Sequence, residues 1–185
     1  MDESGFSQRP SVRRTWAPEG RTPVLKHHFN WKRLHAIGAV VCQPEGTNAQ
    51  GLPRLQPGSV KQEDILAWLS ALHDRVPGSL VVLWDGLAAH HSKVVHAYGQ
   101  ENAAWLAMHR LPAYAPELNP VEYLWSVLKG KDVANMCADT ISQIESKLHQ
   151  AAERVEREAI AQGFLRASGL YATKTSAATT PTESH

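Results

Sequence analysis

Two carboxylates well inside the chain stand where metal chemistry can be built. Asp85 follows the apolar run Leu80-Val-Val-Leu-Trp84 and precedes Gly86. In α/β sheets, ligands collect at the carboxyl ends of strands, because side chains emerge there from the core. An Asp at that point can hold a hard divalent cation through its oxygens, or it can cap the turn after Gly86; position alone leaves both readings open. Glu122 falls in the first turn of a helix opened by Asn119-Pro120. At 100° per residue it borders the stripe Val121, Leu124, Trp125 and Leu128, so it could point along a sheet's rim. A local reading competes: Asn119 as N-cap with Glu122 at the third helical position is a capping-box arrangement. A third acid, Asp2, sits beside the first residue, where a carboxylate by itself carries no functional information.

The elements that must position these groups follow from periodicity. Ser11 to Trp16 and Thr22 to His28 flank the turn signal Pro18-Glu-Gly20, which predicts a hairpin. Leu34 to Cys42 is a further apolar segment, and a short edge strand is expected near Leu52 to Leu55 within the Gly/Pro-rich stretch 43–58. Ser59 and Gln62 have capping-box spacing ahead of a helix carrying Ile65, Leu66, Leu69 and Leu72. Leu80 to Trp84 is apolar on both alternating faces, which predicts a strand buried on both. Lys93 to Ala103 reads as a helix and Trp105 to Leu111 as a strand. The helix from Asn119 should end at Gly130, and Thr140 with Gln143 should cap another bearing Ile141, Ile144, Leu148 and Val155. Strands first, then alternating helix and strand, then helices predicts a mixed sheet with helices packed on it. Residues 171–185, rich in Ala, Thr and Ser, read as a disordered tail behind one domain spanning 1–170.

Bulk properties bound the rest. A chain of 185 residues suits a single domain, and 43% hydrophobic with 20% charged residues is the composition of a soluble globular protein. No run of 18 apolar residues offers a membrane span, and acidic residues with Arg near the start do not resemble a signal peptide. The expectation is a cytoplasmic, nucleoid-associated protein with no membrane partner. Cys42 and Cys137 lack metal-ligand spacing and read as free buried thiols. Although the net charge is only +1, the stretch from Gln8 to His35 holds Arg9, Arg13, Arg14, Arg21, Lys26, Lys32 and Arg33 against the single acid Glu19, with His27, His28 and His35 besides. Such a stretch can line a phosphate-binding face or form a solvated surface.

Taken together, Asp2-Glu-Ser-Gly-Phe6, Trp16-Ala-Pro-Glu-Gly20 with Pro23, Leu83-Trp-Asp-Gly86 with His90, and the block Leu111-Pro-Ala-Tyr-Ala-Pro-Glu-Leu-Asn-Pro-Val-Glu-Tyr-Leu-Trp125 resemble the DDE endonuclease domain of bacterial insertion-sequence transposases, the prokaryotic branch of the mariner superfamily. The pieces occur in the family's order up to about Leu170. The resemblance implies an α/β, RNase H-like fold with a mixed five-stranded sheet and helices on both faces. It matches Asp2, Asp85 and Glu122 to the catalytic, metal-ligating triad, with 37 positions (122 − 85) between the last two. His90 is implied as a secondary site residue near phosphate or metal, against a simpler role of hydrogen bonding in its own loop. Asn119 would position the helix carrying Glu122, and Trp84 and Trp125 read as core.

The implied reaction is metal-dependent cleavage of DNA, then attack of the freed 3′-hydroxyl on target DNA. Two Mg²⁺ or Mn²⁺ ions, roughly 3.5–4 Å apart, suit such in-line displacements. Implied partners are DNA, as transposon ends and target, and a second copy or a full-length transposase. Two departures from the family set further expectations. Nothing here supplies its helix-turn-helix region, so residual DNA contact should be electrostatic and salt-dependent. Only Met1 precedes Asp2, so the first strand is expected to be largely missing, the domain N-terminally truncated and its activity impaired. The alternatives are a catalytically inactive remnant that keeps the fold and binds DNA or a full-length partner, and a related nuclease without strand transfer. A nucleotide-binding domain ranks below these, since no Gly-rich phosphate loop follows a predicted strand.

Overall fold

A computed structural model describes residues 1–27, 32–87, 90 and 92–170. Strands β1 (Asp2–Ser7), β2 (Arg33–Val41) and β3 (Gln50–Gln56) come first, followed by helix α1 (Gln62–Arg75) and strand β4 (Leu80–Trp84). Helix α2 (Lys93–Glu101), strand β5 (Leu106–Arg110) and helices α3 (Pro120–Val127), α4 (Ile141–Arg157) and α5 (Ala161–Ser168) complete the order. The 171–185 tail expected from composition lies outside the described residues.

The strands form the expected mixed arrangement, but as two hydrogen-bonded groups. β1 pairs antiparallel with β2, setting Asp2 opposite Gly38, and β2 pairs antiparallel with β3. β4 and β5 form a separate parallel pair, Leu80 opposite Leu106. The α-amino group of Met1 donates to Leu83 O (2.6 Å). β4 ends at Trp84 just as β1 begins, so the two groups meet over a short overlap. The first strand is present, six residues long, which corrects the expectation that it would be largely missing. Along Asp2–Ser7, β2 supplies the pairing partner that holds it extended.

Alternation along the strands divides the core into two layers. Phe6, Leu34 and Ala36 pack against Val121, Leu124 and Trp125 of α3, Leu148 and Val155 of α4, and Phe164 of α5. Ile37, Ala39 and Leu52 face the other way, onto Ile65, Trp68, Leu69 and Leu72 of α1, with Val82, Trp84, Val95 and Leu106. Helices therefore cover both faces of β1–β3. Over β4 the prediction fails: Val82 and Trp84 are buried, but Val81 is 67% and Leu83 37% exposed. α3, α4 and α5 sit over the first three strands instead, leaving that apolar face of β4 uncovered among the described residues.

Other local expectations shift for identifiable reasons. The turn at Pro18 forms, with Arg21 N–H donating to Pro18 O (3.0 Å) and Gly20 at φ 75°. Its flanks, 11–16 and 22–27, are not paired strands; His28 lies outside the described residues. Trp16 is 100% exposed and Val12 and Val24 are exposed too, so a hairpin there would have no face to bury. Ser11 instead bridges to Ala134, and Asn135 clasps Arg13 through both its amide atoms (2.8 and 2.9 Å). The α1 cap falls at Lys61, whose N–H donates to Asp64 Oδ2 (2.8 Å), two residues beyond Ser59. Gln143 reaches past Thr140 to accept from Asp139 N–H (2.8 Å). α3 runs through Gly130 into a π-helical turn, Leu128–Asp132. Cys42 and Cys137 are free but half-buried. No helix among the described residues is long and apolar enough to cross a membrane.

Gly38 ties this architecture to the acids. A Cβ there would lie 2.7 Å from the Trp125 ring, so only Gly lets the indole of α3 reach the strand opposite Asp2. Gly38→Ala is expected to destabilise the domain by about 1–3 kcal/mol, the usual cost of overpacking. A denaturation midpoint equal to the parent's would show that Trp125 can shift without penalty.

Candidate active site

Asp2 opens β1 and points toward α3. Its carboxylate is 5% exposed; Oδ1 accepts the Glu3 N–H (2.8 Å) and Oδ2 accepts Trp125 Nε1–H (3.2 Å). Both partners are neutral donors, so the charge stays uncompensated. Burial first, then the charges of Glu122, Glu3 and Asp85, push its pKa up from 3.8 to about 6, with the Glu3 N–H pulling the other way. Asp2 thus lies within electrostatic reach of both other acids of the implied triad. Burial also lowers the Met1 amine to about 6, against the pull of these acids, so it supplies little counter-charge at neutral pH.

Asp85 lies just past β4 and is half-buried. Its Oδ1 accepts from Leu87 N–H (3.1 Å), so the turn-capping reading is realised, and the same oxygen is 3.0 Å from His90 Nδ1. His90 is buried, stacked on Trp84 with ring centres 4.5 Å apart, and its Nε2 is 2.9 Å from Glu3 Oε1. Burial lowers the His90 pKa, but the bond to Glu3 and the charges of Glu3 and Asp85 outweigh it and leave the pKa raised. The bonds of His90 reach beyond its own loop to β1.

Glu122 is exposed, and the capping box expected for it does not form. Asn119 does cap α3, its Oδ1 accepting from Val121 N–H (3.2 Å), but the Asn119 N–H goes to Pro116 O (3.0 Å). Glu122 is left without that local job. Trp84 and Trp125 are core, as read, though Trp125 also binds Asp2. Arg9, Arg13, Arg14, Arg21, Lys26, Lys32 and Arg33 are all exposed, and the Arg13 guanidinium lies over Gly130. Two groups escaped the sequence: Glu3, whose signal was its place one residue after Asp2 on a strand of period two, and Arg110, whose guanidinium lies over Gly86 beside Asp85. Pairing of β4 with β5 brings Arg110 there, and no local pattern announces it.

Among the described residues, no three His, Cys, Asp or Glu side chains are gathered closely enough to cage a metal. The donor set nevertheless fits a hard divalent ion: carboxylate oxygens with spare lone pairs, one of them buried among like charges with no cationic partner.

Three solved structures share this fold. The chain matches the Mos1 transposase paired-end complex with left transposon end at TM-score 0.64 and 16% identity, over 91% of this chain and 50% of that one. It matches the Mos1 mariner paired end complex with Mn at 0.65 and 17%, over 91% and 51%, and the Mos1 strand transfer complex at 0.62 and 16%, over 90% and 49%. The chain spans about half the length of these relatives, and at such identity the likeness defines the fold, which is RNase H-like. No curated protein matches. The family model of the DDE superfamily endonucleases matches residues 1–145, and the chain belongs to that family.

The raised pKa of Asp2 has a consequence for stability. The folded state holds a proton on Asp2 up to about pH 6, whereas the unfolded chain releases it near 3.8. The folded state therefore binds more protons in between, and stability falls as pH rises through that window, by about 3 kcal/mol in all. In metal-free protein, Asp2→Asn should lack this decline, and added Mg²⁺ at pH 7 should raise the melting point of the parent but not of the variant. Parallel pH profiles for the two proteins would rule the coupling out.

Proposed function

We propose that this chain is the catalytic domain of a DNA transposase of the bacterial insertion-sequence branch of the mariner superfamily, cleaving DNA phosphodiesters and joining the freed 3′ end to target DNA. The observation that carries the reading is Asp2: a carboxylate buried at a strand end, charged against Asp85 and Glu122 from distant parts of the chain. Membership of the DDE endonuclease family and the likeness to complexes of Mos1 with transposon ends support it.

Asp2, Asp85 and Glu122 would hold two Mg²⁺ or Mn²⁺ ions. When bound, such ions activate an attacking oxygen and stabilise the leaving one. Asp2 is held by Trp125 and the β1 backbone, and His90 holds Asp85. Glu122 stands exposed on a helix whose start Asn119 caps, open to the substrate side. The basic stretch from Arg9 to Arg33, with Arg13, Arg14, Arg21, Lys26 and Lys32 between, would take up DNA phosphates without reading sequence, so binding should weaken steeply with salt. A second copy or a full-length transposase would complete the working assembly on paired ends.

One observation favours a second reading. The acids are not drawn into a ready metal cage among the described residues, as in a remnant that keeps the fold and binds DNA or a partner without cutting.

Asp85→Asn and Glu122→Gln separate these readings. Each should lower Mg²⁺-dependent nicking by more than the roughly 10–100-fold typical of an outer-layer partner, with the melting point of the Glu122→Gln protein unchanged because the side chain is exposed. Undiminished nicking by either variant would remove that residue from the mechanism. No nicking by the parent at any Mg²⁺ or Mn²⁺ concentration would favour the remnant. Strand transfer from pre-cut ends distinguishes a transposase from a nuclease that only hydrolyses.

A further inference from the structure

Neighbouring residues of a strand point to opposite faces, and β1 applies this to its first two acids. Asp2 faces α3 and Trp125. Glu3 faces the other layer, where His90 lies flat on Trp84, the ring planes 4° apart. The His90 ring is 1% exposed and is held at both nitrogens, Nε2 by Glu3 Oε1 (2.9 Å) and Nδ1 by the Asp85 main-chain carbonyl oxygen (3.3 Å), with Asp85 Oδ1 at ion-pair distance from the same nitrogen (3.0 Å). Stacked on one side and bonded at both ends, it cannot turn without breaking contacts. Asp85, by contrast, stands beyond the last residue of its strand and is half-exposed; the Leu87 N–H of its own turn reaches Oδ1 (3.1 Å), and His90 adds a second constraint on the same oxygen from outside that turn.

We propose that Glu3 is a positioning residue for the second carboxylate of the site: through His90 it fixes Asp85 Oδ1, and with it the direction from which Asp85 meets a bound cation. The proposal rests on the reading of Asp85 as a metal ligand. Glu3 is not itself placed as a ligand, because it leaves the strand on the face opposite Asp2. Folding does not account for it either. Glu3 Oε2 is buried without a hydrogen-bond partner among the described residues, and a half-satisfied buried carboxylate costs stability. Outer partners that orient a ligand are a general feature of metal sites; here the His transmits the constraint from one carboxylate to another. Support therefore reaches the site from behind the sheet, on the face that Asp2 does not use.

The test is Mn²⁺ binding to the full 185-residue chain, followed by calorimetry in the absence of DNA, with folding checked by thermal melting. Asp85→Asn should lose binding. Glu3→Ala and His90→Ala should each weaken it by roughly 10–100-fold, and Glu3→Gln, which still accepts the Nε2–H bond, should restore most of what Glu3→Ala loses. Because the two groups act in series, the double variant Glu3→Ala/His90→Ala should bind no worse than His90→Ala alone. Parental affinity in Glu3→Ala, or additive losses in the double variant, would overturn the relay while leaving Asp85 a ligand. A Glu3→Gln protein as impaired as Asp85→Asn would overturn it in favour of direct ligation by Glu3. Parental affinity in Asp85→Asn would remove the metal reading and the relay together.

Discussion

A negative charge on Asp2 has to be held where water scarcely reaches it, beside other carboxylates. A single flexible side chain would escape such a place by rotating into solvent or by keeping its proton. The structure prevents rotation by mounting Asp2 on a paired strand and giving each oxygen an N–H donor, one from the backbone and one from Trp125, while the raised pKa shows that the proton is held longer than usual. The Trp125 donor depends in turn on Gly38, the residue paired with Asp2, which leaves room for the indole. The same helix that delivers Trp125 carries Glu122. Strand pairing, the missing side chain at residue 38 and the seating of α3 are thus parts of one constraint.

The two faces of the sheet divide the work. On the α3 side, burial first and then the charges of Glu122, Glu3 and Asp85 raise the pKa of Asp2. A positive charge entering beside Asp2 would offset the part of that shift due to the neighbouring acids. On the other side, Trp84, His90 and Glu3 form a stacked, hydrogen-bonded support behind Asp85. The adjacency of Asp2 and Glu3 in sequence places them on opposite sides by the geometry of an extended chain.

Much of this was legible from pattern alone. The runs Leu34 to Cys42 and Leu80 to Trp84, and the stripe from Ile144 to Val155, fold as strands and helix as read, because burial of a periodic face dominates local preference. Caps were less legible. Ser59 and Gln62 have the right spacing, yet Asp64, also bonded to Gln56 (2.6 Å), takes the cap, since several polar residues near a helix start compete and a tertiary partner decides. The hairpin around Pro18 was misread because a turn signal specifies a bend and not the pairing of its flanks. Burial of β4 on both faces was misread because apolar composition cannot say whether a helix arrives to cover it.

Local chemistry, then, was the part a linear chain could declare: its periodic faces, the Asp at the end of an apolar run, the Asn119 cap and the motif block that ties the family together. Those depend on residues a few positions apart, whose relative placement the backbone dictates. The approach of Asp2 to Trp125, of Glu3 to His90 and of Arg110 to Gly86 spans from 24 to 123 positions and came only with the packed fold. Such contacts depend on how sheets and helices seat against one another, and that seating is a property of the whole core.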